Sequence, residues 1–154
     1  MSESIIEKIK QSLHTADSLY HRLVLLVSEA GFGKTAVLQE IADDFESSII
    51  NINLTLSKGL LEQTAKQRSL RVPEILNQIV DKAQSPVILD NIEILFDKDL
   101  KLDPLRLLQI ISRNHTVVAS WNGAYIGGSL IYAETGHAEY RRYDSINTLI
   151  VSMD

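Results

Sequence analysis

The 154 residues include no cysteine, which excludes disulfides, thiolate metal centres, iron–sulfur clusters and cysteine nucleophiles in one step. Proline numbers three and aromatic residues make up only 6%, so neither a collagen-like nor a proline-rich chain fits. No apolar run approaches the ~20 residues of a membrane-spanning helix. The chain opens Met1-Ser2-Glu3-Ser4-Ile5-Ile6-Glu7, acidic where a secretory leader is basic. Together these features predict a cytoplasmic protein with no membrane association. Charge of one sign is also missing: 15 Lys and Arg stand against 20 Asp and Glu, a net charge of -5. That balance argues against a surface built as a whole for nucleic acid, though a local basic patch survives it. What remains is 45% hydrophobic and 23% charged, the composition of one ordinary globular domain.

Apolar periodicity sets the expected elements. Ile5, Ile6, Ile9, Leu13, Ala16, Leu19 and Tyr20 form one helical stripe, predicting an amphipathic helix over 4–20 ahead of a core spanning 22–154. Residues 22–27 form a short run dominated by Leu and Val, the pattern of a strand buried on both faces. A glycine-containing loop and a helix over 34–45 follow it. A second strand is expected over 48–54, then helices over 58–68 and 73–84, with Pro73 in a first helical turn. Strands over 86–90, 116–120 and 147–153, with a helix over 104–112, complete the pattern, and residues 121–143 are left without assignment. Strands alternating with helices over 1–154 predict a single three-layer α/β domain with a mostly parallel, five-stranded central sheet.

The residues richest in chemistry lie between the first strand and the following helix: Ser28-Glu29-Ala30-Gly31-Phe32-Gly33-Lys34-Thr35-Ala36. Glycines let backbone N–H groups curl around an anion, and the helix N-terminus adds its positive end. The pattern G-x-x-x-x-G-K-[ST] is met except at its first position, where Ser28 replaces glycine. This predicts nucleotide binding by Glu29 through Ala36. Lys34 would reach the β- and γ-phosphates, and Thr35 would ligate Mg²⁺. Asp90 ends the apolar run Val87-Ile88-Leu89 and is the expected second Mg²⁺ residue, since a carboxylate there needs a partner or solvent.

Hydrolysis also needs a group that polarises water. Asn91 follows Asp90 and can orient a water but not take its proton. Glu93 could face the γ-phosphate as base, or sit in solvent between Ile92 and Ile94; both readings stand. Ser120 and Asn122 end another apolar run and are candidates for contacting the γ-phosphate or the water, Asn122-Gly123 also reading as a turn. Trp121 reads as a packing or interface residue. Arg113 and Arg142 are candidates for transition-state charge donated between subunits, while the pair Arg141-Arg142 between tyrosines also suits a nucleic-acid backbone. The four histidines show no metal-ligand spacing.

The element order, the loop and Asp90 resemble the P-loop NTPases, in the branch containing AAA+ and STAND ATPases; Ser28 at the first loop position also resembles STAND regulators. The segment Leu89-Asp90-Asn91-Ile92-Glu93-Ile94-Leu95-Phe96, and Leu130-Ile131-Tyr132-Ala133-Glu134 with the following Gly136-His137-Ala138-Glu139-Tyr140-Arg141-Arg142-Tyr143, resemble the BrxF family of type 3 BREX phage-exclusion systems. That resemblance implies an ATP- and Mg²⁺-dependent ATPase in bacterial antiviral defence. It also implies other BREX proteins as partners, among them a DNA methyltransferase and a larger ATPase, with DNA as a further partner. Set against AAA+ proteins, no helical lid follows the last strand. A neighbouring subunit would have to cover the nucleotide, which predicts a head-to-tail homo-oligomer, ring or filament. A nucleotide-dependent switch with little intrinsic hydrolysis is the alternative, because Asn91 occupies the usual position of the base.

Overall fold

The computed structural model describes residues 2–133, 137–144 and 146–153. Glu134 and Gly136, quoted above for their resemblance, lie outside them. The chain is α/β, with five α-helices among the described residues and a mostly parallel sheet. Five parallel strands form its body in the order β2 (Ile49–Asn51), β3 (Val87–Asp90), β4 (Val117–Ile126), β1 (Leu23–Ser28), β7 (Leu149–Ser152). Two more strands, β5 (Ser129–Tyr132) and β6 (Arg141–Tyr143), add to β4 in antiparallel fashion. The sheet therefore has seven strands rather than five.

Both faces of the body are covered, which explains the unbroken apolar run of β1. Val24 and Leu26 pack with α1 (Ser2–Ala16) and α2 (Lys34–Phe45). Leu23, Leu25 and Val27 pack on the opposite face with α3 (Ile52–Leu60), α4 (Ala65–Lys82) and α5 (Pro104–Ile111). A strand buried on both faces has no polar side to alternate with. Among the described residues no helix is long and apolar enough to cross a membrane.

Several expectations need correction. α1 ends at Ala16, not at residue 20, and Tyr20 is exposed. The expected strand over 48–54 is only Ile49–Asn51, because Asn51 caps a helix, its side chain accepting from the Leu54 N–H at 3.0 Å. Pro73 lies inside α4 rather than in a first turn. That helix begins earlier, at a reciprocal capping box in which Thr64 accepts from the Gln67 N–H and Gln67 accepts from the Thr64 N–H. The missing proline donor costs one rung, and the buried stripe Val72, Leu76 and Val80 holds the helix through it.

Strand β4 runs six residues beyond the expected end at Ser120. Asn122-Gly123 is strand, not turn: Gly123 pairs with Tyr132, and a Cβ at Gly123 would lie 1.8 Å from the Ile131 carbonyl oxygen. Only glycine allows the two strands to close there. Trp121 is a packing residue, fully buried, its indole N–H donating to Ile131 O at 3.1 Å and its ring edge-on to Phe96 and Tyr132.

Candidate functional site

The carboxyl ends of β1 and β3 and the middle of β4 converge on one cleft, since all three run parallel and β4 lies between the other two. Each strand brings a buried polar residue to this level: Ser28 and Asp90 close β1 and β3, and Ser120 lies within β4. A polar group at a buried strand end must find a partner. Asp90, only 6% exposed, accepts from Ser120 Oγ at 2.7 Å through Oδ1 and from Thr35 Oγ1 at 2.6 Å through Oδ2. One carboxylate thereby ties β3, β4 and the start of α2 together.

The loop from β1 into α2 supplies the opposite wall. Gly31 and Gly33 have φ of 88° and 89°, in the left-handed region that side chains other than glycine rarely adopt. A Cβ at either position would meet nothing within 4 Å, so conformation rather than space selects glycine there. Gly33 is also the N-cap of α2 and offers no side-chain acceptor to the helix's first N–H groups, and no acidic residue stands in that first turn. The positive end of the helix is left uncapped at the cleft.

Lys34 is 7% exposed and folds back across the loop, its Nζ donating to Ser28 O at 2.9 Å, Ser28 Oγ at 3.1 Å and Glu29 O at 3.0 Å. Ser28, the departure from the glycine pattern, thus contributes a hydroxyl that a glycine could not. Burial lowers the Lys34 pKa below the ordinary lysine value, and the charges of Asp90 and Glu93 oppose that shift.

Asn91 has φ of 53°, a left-handed conformation that asparagine tolerates better than most residues. The turn leads directly into a short 3₁₀ segment, Glu93–Phe96, and Glu93 lines the cleft. Asn53 in the first turn of α3 fixes that carboxylate. Its Nδ2 donates to Glu93 Oε1 at 3.2 Å, its Oδ1 accepts from the Ile94 N–H at 2.7 Å, and its own N–H donates to Asn91 O at 2.8 Å. Burial raises the Glu93 pKa, the Asn53 hydrogen bond opposes it, and the nearby Asp90 charge raises it further.

The cleft holds about 330 Å³, at the small end of ligand pockets, and is lined by Ala30, Gly31, Gly33, Lys34 and Thr35 on one side and by Asp90, Asn91, Glu93, Ser120 and Asn122 on the other. Ten residues singled out in the sequence therefore meet in one place. Glu29 lines a neighbouring cleft instead. Phe32 and Ala36 are exposed and line neither of these clefts. Arg113 lies at the opposite, amino end of β4, its guanidinium 5.2 Å from the Tyr20 ring. Arg142 on β6 pairs with Asp144 at 2.9 Å. Neither arginine reaches the cleft within one chain. Arg141 donates to Leu102 O at 2.9 Å, so both arginines of the basic pair have partners within the fold.

Asn53 escaped the sequence reading because residues 48–54 alternate like a strand. The helix-capping signal at Asn51 was the clue that would have put Asn53 in a first helical turn. Among the described residues no group of three or more His, Asp or Glu side chains is arranged to hold a metal ion. A divalent ion here would draw most of its ligands from phosphate and water, the usual habit of Mg²⁺. The Thr35 hydroxyl and the Asp90 carboxylate are hard oxygen donors that suit such an ion. No protein-family model matches the chain, and no curated protein matches it in sequence, so the cleft's chemistry carries the functional reading.

Proposed function

We propose that the chain is a P-loop NTPase of the AAA+/STAND-like branch that binds ATP with Mg²⁺ in this cleft and hydrolyses it. The observation that carries the reading is the Asp90 hub: one buried carboxylate holding Thr35 of the glycine loop and Ser120 of the adjacent strand, with Lys34 beside them. The insertion of β4 between the loop strand and the Asp90 strand agrees with the branch of this superfamily that carries an extra central strand.

In this reading the N–H groups of residues 30–36 cradle the phosphates. Lys34 leaves its carbonyl partners for the β- and γ-phosphate oxygens, and phosphate charge keeps it protonated against its lowered pKa. Thr35 and Asp90 would hold Mg²⁺, which neutralises charge on the phosphate oxygens. Glu93 takes a proton from the attacking water as the new bond to the γ-phosphorus forms and the bond to the bridging oxygen breaks. Its raised pKa makes it a stronger base than an exposed glutamate. Asn122 and Ser120 orient the water and the γ-phosphate, while Asn91 sets the turn that brings Glu93 round.

An arginine from a neighbouring copy, Arg113 or Arg142, would supply the remaining positive charge in a head-to-tail assembly. Membership in a BREX defence system, with its protein and DNA partners, is proposed on the sequence resemblance alone. The switch reading draws support from a specific contact: Asn53 holds the Glu93 carboxylate, and that grip slows hydrolysis until it is released. Phosphate release per protein molecule, followed across a wide range of protein concentration, separates the two. Specific activity that climbs with concentration supports the shared-site ATPase, and a flat, near-zero rate with intact ATP binding supports the switch.

A further inference from the structure

Three acceptors surround the Lys34 ammonium, and together they account for all of its hydrogens. Nζ donates to Ser28 O at 2.9 Å, to Glu29 O at 3.0 Å and to Ser28 Oγ at 3.1 Å. An ammonium has three N–H donors and no acceptor, so none is left over for a ligand. Two of the partners are backbone carbonyls, which any sequence supplies. The third is a side chain, and it comes from the position where the glycine pattern is broken.

Ser28 is fully buried at the end of β1. A buried hydroxyl needs partners, and this one donates to Glu29 O at 3.2 Å, which leaves its lone pairs to face Lys34. Lys34 lines the phosphate-side cleft, whereas Ser28 does not, so the hydroxyl acts on the cleft only through the lysine. The charge itself has no counter-ion: among the described residues Lys34 forms no salt bridge with a carboxylate. A nearly buried cation held by dipoles alone favours an incoming anion, yet every donor it has is already in use.

We infer that Ser28 is a positioning residue that parks the Lys34 ammonium against the loop in the ligand-free protein, and that its hydroxyl thereby lowers the affinity of the cleft for a nucleoside triphosphate. This rests on the nucleotide reading given above. Each N–H that turns to a phosphate oxygen first gives up a resting acceptor. Three resting bonds oppose binding here, where a glycine at position 28 leaves two. Removing the hydroxyl frees one donor in advance.

The test compares wild type with Ser28→Ala in two measurements. In the ligand-free protein, ¹H–¹⁵N spectra of the lysine side chains at low temperature should show the Lys34 ammonium, because three partners slow the exchange of its protons with water. Lys34→Arg assigns the signal. Ser28→Ala should speed that exchange until the signal broadens or is lost. In calorimetric titration with Mg²⁺-ATP, Ser28→Ala should bind about 3- to 10-fold more tightly than wild type, the usual worth of one hydrogen bond. Ser28→Gly also lacks the hydroxyl and should move affinity in the same direction, and circular dichroism confirms that both variants are folded. A hydroxyl that only supported the shape of the loop gives the opposite sign. Weaker or unchanged ATP binding in both variants, or a Lys34 exchange rate indifferent to Ser28→Ala, would overturn the inference. Absence of ATP binding in all three proteins, with exchange still dependent on Ser28, would overturn the nucleotide reading and leave the parked lysine standing.

Discussion

The two ends of the same three strands differ sharply. At the amino ends of β1, β3 and β4 the backbone closes on itself: the Arg22 N–H donates to Ser112 O, the Val117 N–H to Arg22 O and the Val87 N–H to Thr116 O. The Arg22 guanidinium is used in the same way, on Arg113 O at 3.0 Å. Toward the carboxyl side β1 and β3 finish instead in Ser28 and Asp90, level with Ser120 of β4, and the hydrogen bonds of these residues join the strands to one another and to the glycine loop. One end consumes its polar groups in holding the fold. The other arranges them around open space, beside an uncapped helix terminus. Polar groups count toward function where the fold leaves them facing a cleft.

Substitutions at the two ends sharpen that contrast. The largest effect is expected from Glu93→Gln, which should cut phosphate release by about 10²- to 10⁴-fold while ATP binding survives. Unchanged turnover would remove Glu93 from the role of base. The acid limb of the wild-type rate profile should have its midpoint above the ordinary glutamate pKa, because burial raises Glu93. The same shift has a stability consequence. A carboxyl whose folded pKa is raised stabilises the protein when protonated, and that contribution is lost as pH rises through the folded value. The ligand-free Glu93→Gln protein should therefore melt higher than wild type at pH 8, with the gain shrinking as pH falls through the raised pKa.

Next comes Lys34→Ala, with a loss of about 10²-fold in ATP affinity, about 2.7 kcal/mol. An unchanged dissociation constant would break the comparison at its functional end. Asp90→Ala follows: it leaves the Thr35 and Ser120 hydroxyls without their acceptor, at a cost of about 1–3 kcal/mol in unfolding free energy. It should also abolish the dependence of ATP binding on Mg²⁺. Arg22→Ala at the amino end should produce the smallest effect, about 0.5–1.5 kcal/mol in denaturant unfolding, with ATP affinity unaltered. A large change in affinity there would mean that the two ends are not separate.

Sequence legibility followed the same division. The buried runs of β1 and β3, and the helix opening at Lys34, read directly because burial on both faces leaves no ambiguity of period. Asp90 stood out because a carboxylate closing an apolar run is costly to bury unless something there binds it. The stretch Asn51-Ile52-Asn53-Leu54-Thr55-Leu56 did not, since alternation of apolar and polar residues fits a strand until the Asn51 cap is recognised. The hairpin beyond Ser120 stayed hidden because Asn-Gly is a strong turn signal. Only the approach of the Ile131 carbonyl, from the neighbouring strand, accounts for glycine there.

The central claim is that the glycine loop and the start of α2 receive the phosphates of a nucleotide. Amide chemical shifts of the ¹⁵N-labelled protein, recorded during titration with Mg²⁺-ATP, test it most directly. Saturable changes should concentrate at Gly31, Gly33, Lys34 and Thr35, with the amides at the amino ends of β1 and β4 unmoved. No change at those four amides, or changes confined to another surface, would contradict the claim.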